Sequence, residues 1–320
     1  MGLTRSGEPL IFEGLSGGVS SDIWRADLAL GTVCIKRSLG KLRVAADWRA
    51  PVERSNYECR WIQTVAKIVP RAVPRILGQD TGACLFVMEY LDPHLYPVWK
   101  HQLRDGIAEP ETAAAVGCIL ASIHSQTAND PKIAAAFDTS YIFYPIRLEP
   151  YLEATARVHS DRSAAFENLI ETTQANRKAL VHGDVSPKNI LIGPDGPVFL
   201  DAEGAWYGDP AFDAAFCLNH LLLKCVWNRG AISRFYACFQ ALATSYLAGC
   251  DWEQREALEA RIAHLLPGLF LARVDGKSPA EYITREVDKD KIRRTARALL
   301  ADPVDRLASV WAAWAAEIEG

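Results

Sequence analysis

At Leu91-Asp92-Pro93 the chain changes character, and no single regular architecture accommodates both sides of that point. Before it, short β-type runs alternate with turn residues. Residues 9–14 form a brief apolar run that enters a Gly/Ser-rich turn, LSGGVSSD, at 15–22. Residues 23–30 and 32–37 predict a hairpin about Gly31, and residues 75–78 and 84–90 predict two more strands joined by Asp80-Thr81-Gly82. One helix is expected among them over 51–69, with Pro51 suited to a first turn and Pro70 placed to end it. Beyond residue 93, helical spacing takes over: Val116, Ile119, Leu120 and Ile123 make the stripe of an amphipathic helix. A strand-rich interruption at 179–201 divides this half, and residues 211–226, apolar on most sides, predict a deeply buried helix. The pattern is α+β: a small β-rich lobe with one helix over 1–90, ending in a hinge, and a larger, mainly helical lobe over 91–320.

The composition suits a folded globular chain of this size: 320 residues, 49% hydrophobic and 23% charged, with a formal net charge of −4. A mildly acidic balance argues against a general nucleic-acid or anionic-membrane binder, which needs a basic face, so neither partner is expected, although this balance does not exclude a local patch. The eight cysteines lie scattered with no C-x-x-C pair, unlike a disulfide framework or a zinc site. They read as reduced core thiols of a cytoplasmic protein. No apolar run approaches a membrane span, and MGLTRSGEPLIF has no signal-peptide core. Met1-Gly2 with Ser6 fits the loose N-myristoylation pattern, which is short and permissive enough to be a chance match.

The chemistry concentrates in residues 180–204, LVHGDVSPKNILIGPDGPVFLDAEG. Asp184 is followed five positions later by Asn189, and Asp201 ends the apolar run 197–200. Phosphoryl transfer needs one carboxylate beside the attacking hydroxyl and oxygen ligands for the magnesium that neutralises the triphosphate. Asp184 suits the first task; Asn189 and Asp201 suit the second.

This segment resembles the catalytic loop of the aminoglycoside phosphotransferase and choline kinase superfamily, which has a protein-kinase-like fold. His182-Gly183-Asp184 stands where protein kinases have H-R-D, and Asp201-Ala202-Glu203 where they have D-F-G. The Glu two positions after the Asp is similar to choline kinases and methylthioribose kinases in particular. Gly208-Asp209-Pro210 with Asp213 resembles the run that follows in many members, and the resemblance gives Asp213 a bracing role. It also implies that Lys36, in Val33-Cys34-Ile35-Lys36, pairs with the nucleotide phosphates. Glu58 is the candidate partner of that lysine, with Glu53 as competitor. Gly17, Gly18, Ser20 and Ser21 would cover the phosphates. In Phe86-Val87-Met88-Glu89-Tyr90-Leu91 the backbone of Glu89 and Leu91 would bond adenine, with Met88 lining its pocket. The implied function is transfer of the γ-phosphate of ATP (or GTP), with Mg²⁺, to a hydroxyl of a sugar-like, amino-alcohol or aminoglycoside-like small molecule. Asp184 would be catalytic, and Asn189 and Asp201 metal ligands. Glu203 would reach the metal directly or through water, or else hold its loop.

The departures matter. Ser186 and Lys188 replace the His and Gly of H-G-D-L-H-P-G-N, and Lys188 is a candidate neighbour of the transferring phosphate. His182 reads as orienting the loop rather than as a base. Trp206, Trp227, Trp311 and Trp314 read as packing residues. The segment 271–282 reads either as a helix connector or as a carrier of Arg273, Asp275 or Lys277 to the substrate. Two other readings stand beside the small-molecule kinase. A protein kinase fits the motif order, but Gly183 replaces the Arg of H-R-D and no A-P-E segment follows. A non-catalytic nucleotide-binding scaffold would usually have lost one of Lys36, Asp184, Asn189 and Asp201. The acceptor's identity and the oligomeric state are not legible here.

Overall fold

The computed structural model describes residues 3, 11–15, 20–29, 31–43 and 48–319. Gly17, Gly18 and the myristoylation pattern at Met1-Gly2 and Ser6 lie outside these residues.

Five antiparallel strands make the N-terminal sheet: β1 (Phe12–Gly14), β2 (Ser21–Leu28), β3 (Gly31–Ser38), β4 (Ile76–Asp80) and β5 (Leu85–Glu89), in the order β1-β2-β3-β5-β4. The β2–β3 hairpin closes at Gly31, whose φ of +112° is open to glycine and costly for other residues. Alternation along β3 sorts its side chains. Val33 and Ile35 pack with Ala26 and Val87 on one face, while Cys34 joins the main core on the other. Lys36, two residues on from Cys34, shares that second face.

The helix α1 (Arg54–Val65) packs against β3, β4 and β5. It is shorter at both ends than the expected 51–69, because Pro51 to Glu53 form a turn ahead of it and the chain tightens again after Val65. Its buried stripe runs from a polar end, Arg54 and Glu58, to an apolar end, Trp61, Ile62 and Val65. One helix face thus supplies both charge and core.

After residue 93 the chain is mostly helical: α2 (Trp99–Arg104), α3 (Pro110–Thr127), α4 (Pro131–Ala136), α5 (Ser140–Phe143), a wide-turn π-helix (Tyr144–Glu153), α6 (Ala154–Val158) and α7 (Ser163–Ala175). Two small antiparallel ribbons interrupt it. One pairs β6 (Ala179–Val181) with β9 (Trp206–Gly208), and the other pairs β7 (Ile190–Gly193) with β8 (Gly196–Phe199). Residues 182–189 therefore leave β6 and enter β7, while residues 200–205 leave β8 and enter β9. Both functional loops hang from paired strands.

The core of this part is α8 (Ala211–Trp227), α9 (Ile232–Ala248), α10 (Arg255–Asp275), α11 (Glu286–Ala301) and α12 (Leu307–Glu319). Every residue of α8 from Ala211 to Cys225 is buried, so this helix is surrounded rather than amphipathic. Among the described residues no helix is long and apolar enough to cross a membrane. All eight cysteines are unpaired; five are buried, but Cys84 and Cys250 are half-buried and Cys118 is exposed. The expectation of eight core thiols is corrected there: Cys118 falls on the outward side of α3.

Two close approaches set this frame. On α8, the wholly buried Asp213 accepts the N–H groups of His182 (2.7 Å) and Gly183 (2.8 Å), fixing the loop after β6. At Gly117 on α3, an added Cβ would lie 2.6 Å from the Leu242 carbonyl oxygen of α9. Replacing Gly117 by Ala should therefore cost about 1–3 kcal/mol of stability through overpacking, read by denaturant titration; an unchanged midpoint would contradict the tight α3–α9 contact. Asp213→Asn puts an amide donor against one of the two loop N–H groups and should cost about 2 kcal/mol, whereas wild-type stability would remove Asp213 as the brace.

Candidate active site

Lys36 is 3% exposed and sits between two carboxylates. Its Nζ is 2.7 Å from Glu58 Oε1 and also donates to Asp201 Oδ1. The competition between Glu58 and Glu53 has a geometric reason. Glu58 lies on the buried face of α1, in line with Arg54 and Trp61, whereas Glu53 precedes the first helical residue. Burial alone would lower the Lys36 pKa, but the carboxylates of Asp201, Glu58 and Glu203 more than offset it, so the lysine is held protonated. Burial pushes the Glu58 carboxyl up to about 7, with the Lys36 ammonium pulling the other way. At Asp201, burial is outweighed by Lys36 and Lys188, which hold the carboxyl well below the usual range. Asp201 takes φ +68°, a left-handed conformation in which Asp is among the better-tolerated residues.

Asp184 follows the Asp213-braced backbone. Its Oδ2 lies 3.0 Å from Arg147 Nη2 and 3.2 Å from Lys188 Nζ. Those two cations outweigh burial and keep the carboxyl ionised. Its Oδ1 is buried and has no hydrogen-bond partner among the described residues. An ionised carboxylate with one oxygen held and the other free is an acceptor waiting for a donor.

The loop around it is over-determined. Gly183 has φ +81°, and a Cβ there would lie 2.5 Å from the Gly204 carbonyl oxygen, so only glycine fits. Its carbonyl accepts from Arg147 Nε. His182 receives the Asp184 N–H on Nδ1 (3.1 Å) and sets Nε2 3.1 Å from the Leu200 carbonyl, which assigns the proton to Nε2. Burial lowers its pKa, and its ring meets the Trp61 edge at 4.7 Å between centroids. His182 thus links the two loops as a neutral group.

Asn189 gives its amide Nδ2 to the Asp184 carbonyl at 3.1 Å, which leaves Oδ1 for a ligand. With the Asp201 carboxylate this is an all-oxygen donor set, the kind that a hard divalent cation takes. Among the described residues, no group of three His, Cys, Asp or Glu is arranged to hold a metal by itself. Glu203 Oε2 accepts from Arg54 Nε at 2.9 Å, leaving only Oε1 for any metal.

In the N-terminal lobe, the Ser20 carbonyl oxygen accepts from Arg54 Nη2 (2.5 Å) and from the Leu39 N–H (2.9 Å). Ser21 opens β2 with a buried hydroxyl that has no hydrogen-bond partner among the described residues. Met88 is buried on β5, Glu89 ends that strand with its N–H on the Arg75 carbonyl (3.0 Å), and Leu91 follows, half-buried.

Several contributors carry no motif signal. Arg54 ties α1 to Glu203 and to four backbone carbonyls. Arg147 comes from the π-helix, whose altered period hides which residues face inward. Arg273 lies within α10 rather than in a connector, so the connector reading of 271–282 holds only from Gly276 onward. Asp275 pairs with His159 and Arg293, and Lys277 with Glu149, away from the loop. Trp206 and Trp314 are wholly buried and Trp311 nearly so, while Trp227 is half-buried and stacks on Tyr282 (centroids 4.2 Å apart).

A sequence model described as the phosphotransferase enzyme family (APH) matches residues 12–232. The methylthioribose kinase of Erwinia tasmaniensis is 27% identical over 219 residues, 60% of this chain and 54% of that protein. That of Pectobacterium carotovorum is 24% identical over 318 residues, 84% of this chain and 78% of that protein. The chain spans about half the length of the first curated relatives it matches. Among solved structures, the choline kinase of Cryptosporidium parvum superposes with TM-score 0.58 at 13% identity, covering 94% of this chain and 92% of that one. A choline/ethanolamine kinase family protein of Mesorhizobium loti gives TM-score 0.53 at 17% identity, covering 98% and 95%. The fold is thus the two-lobed, kinase-like one of these structures, and with the family model covering more than half of its length, the chain belongs to the phosphotransferase enzyme family.

Proposed function

We propose that this protein is a small-molecule kinase that moves the γ-phosphoryl group of ATP, as its magnesium complex, to a hydroxyl. The observation that carries this reading is Asp184: an ionised, buried carboxylate with Oδ2 held by Arg147 and Lys188 and Oδ1 without a hydrogen-bond partner among the described residues. In this reading an acceptor hydroxyl donates to Oδ1. Its oxygen forms the new bond to the γ-phosphorus as the bond to the bridging β,γ-oxygen breaks, and the hydroxyl proton passes to Asp184. A carboxyl kept this acidic is a weak base, so its main contribution is to hold the hydroxyl in line until the proton becomes acidic late in transfer.

Lys36, held by Glu58, binds the α/β-phosphates, and its contact with Asp201 is exchanged when nucleotide arrives. Asn189 and Asp201 hold Mg²⁺, which neutralises charge on the phosphates. Glu203, committed to Arg54, is the strut between α1 and the loop. Ser21, whose hydroxyl has no hydrogen-bond partner among the described residues, faces the phosphates together with Ser20. The Glu89 and Leu91 backbone bonds the base beside Met88. Residues 1–90 are the nucleotide lobe and 91–320 the acceptor lobe. Lys188 neutralises charge between Asp184 and the transferring group.

The test is ADP release from Mg²⁺-ATP across a panel of hydroxylated metabolites. Asp184→Asn should lower acceptor-dependent turnover roughly 10²–10⁴-fold while ATP still binds. Lys188→Ala should also lose turnover rather than nucleotide affinity. Full turnover by the Asp184 variant would contradict the assignment.

A further inference from the structure

Next to Asp184, on the side of Lys188, lies a small cleft of about 30 Å³, open to solvent on one side and bounded by Lys100 of α2, His220 and Lys224 of α8, Arg273 of α10, and Glu281 and Tyr282 of the segment after α10. Its charge is lopsided. Lys224 is 1% exposed, and no carboxylate lies within ion-pair distance of it among the described residues. Its Nζ instead rests 3.9 Å from the Tyr282 ring centre and 4.2 Å from that of Trp227. Arg273 is likewise buried without a carboxylate. One of its amino groups bonds Ser278, and its Nε has no hydrogen-bond partner among the described residues. The Tyr282 hydroxyl is also buried and has no hydrogen-bond partner among the described residues. The one acidic side chain lining the cleft, Glu281, already pairs with Lys100.

A buried cation without a counter-charge is costly, by several kcal/mol for a fully desolvated ion, and packing alone does not explain keeping two on facing helices. The Arg273 Nε–H and the Tyr282 O–H, beside the Lys224 amine, are donors for which no acceptor lies within reach among the described residues. Burial, reinforced by Lys100 and Arg273, holds the Lys224 pKa well below its usual value; an incoming anion would reverse that by supplying the missing charge. The neighbouring His220 is held neutral by burial and by Arg273, Lys224, Lys188 and Lys100, so it adds no charge of its own.

We propose that the acceptor is an anionic hydroxyl compound, a hydroxy acid or sugar acid, whose acid group is bound by Lys224, Arg273 and Tyr282 while its hydroxyl points to Asp184. This deepens the kinase reading and rests on it. An ammonium-bearing amino alcohol or aminoglycoside would instead face Arg273 and Lys224 at like-charge distance.

The test uses the full chain saturated with Mg²⁺-AMP-PNP, titrated calorimetrically with D-glycerate and D-gluconate and, for comparison, with glycerol, D-glucose and choline. The acids should bind at least roughly 10-fold tighter than their uncharged or cationic counterparts. Lys224→Met should remove that preference while leaving AMP-PNP affinity unchanged and the melting temperature equal or higher, since an unpaired buried charge is lost. Glu281→Gln, at an outer position, should act oppositely and tighten the acids several-fold, a change that general loosening of the fold does not produce. Binding of choline or the neutral compounds as tightly as the acids, or an acid preference that survives Lys224→Met and is not raised by Glu281→Gln, overturns the proposal. Absence of AMP-PNP binding by the wild type overturns the kinase reading and this one with it; tight AMP-PNP binding without acid preference overturns this one alone.

Discussion

The Lys36 ammonium is bound at once by Glu58 of α1 and by Asp201, 165 residues further along the chain. Three groups from a strand, a helix and a C-terminal loop must meet at one buried point, and most of the architecture can be derived from that requirement. The alternation of β3 puts Lys36 on the same face as Cys34, toward the helix. The stripe of α1 puts Arg54 and Glu58 one turn apart on the face that meets the loop. Since a buried cation is tolerable only with its counter-charges in place, neither lobe satisfies its own charges alone. The Arg54–Glu203 pair repeats the device beside it, from the same helix to the same loop.

The second half of the site depends on backbone rather than charge. Asp213 projects from the most deeply buried helix into the turn at His182-Gly183, and Gly183 passes so close to Gly204 that no side chain fits between them. The neutral His182 joins the same two loops through the Leu200 carbonyl. Asp184, Asn189 and Asp201 are therefore fixed relative to one another by groups that take no part in the chemistry, which is what a site built for in-line transfer requires.

The sequence made the two-lobed division legible because the change from period-2 to period-3.6 spacing at residues 91–93 reflects what each half buries. The β2–β3 hairpin was readable from Gly31, and the buried α8 from a stretch that is apolar on most sides. Residues whose chemistry depends on local spacing, Asp184, Asn189 and Asp201, stood out for the same reason. Arg147 did not, because it sits on a π-helix whose side-chain directions no standard period anticipates. Arg54 and Glu203 were invisible as a pair because 149 residues separate them. The cationic cleft was hidden similarly: Lys100, Lys224 and Arg273 come from three separate helices, and each alone reads as an ordinary charged residue. In space carboxylates pair away from the cleft, as Asp275 does with Arg293, and the cations are left facing it.

The central claim is that Lys36, Glu58, Asn189 and Asp201 are assembled to hold a metal-bound nucleoside triphosphate. The most direct measurement is ATP affinity with and without Mg²⁺, for the wild type and for Asp201→Asn. The account predicts tight binding that depends on magnesium in the wild type and loses that dependence in the variant, with the fold intact by circular dichroism. ATP affinity that is indifferent to magnesium in the wild type, or equally magnesium-dependent after the substitution, would contradict it.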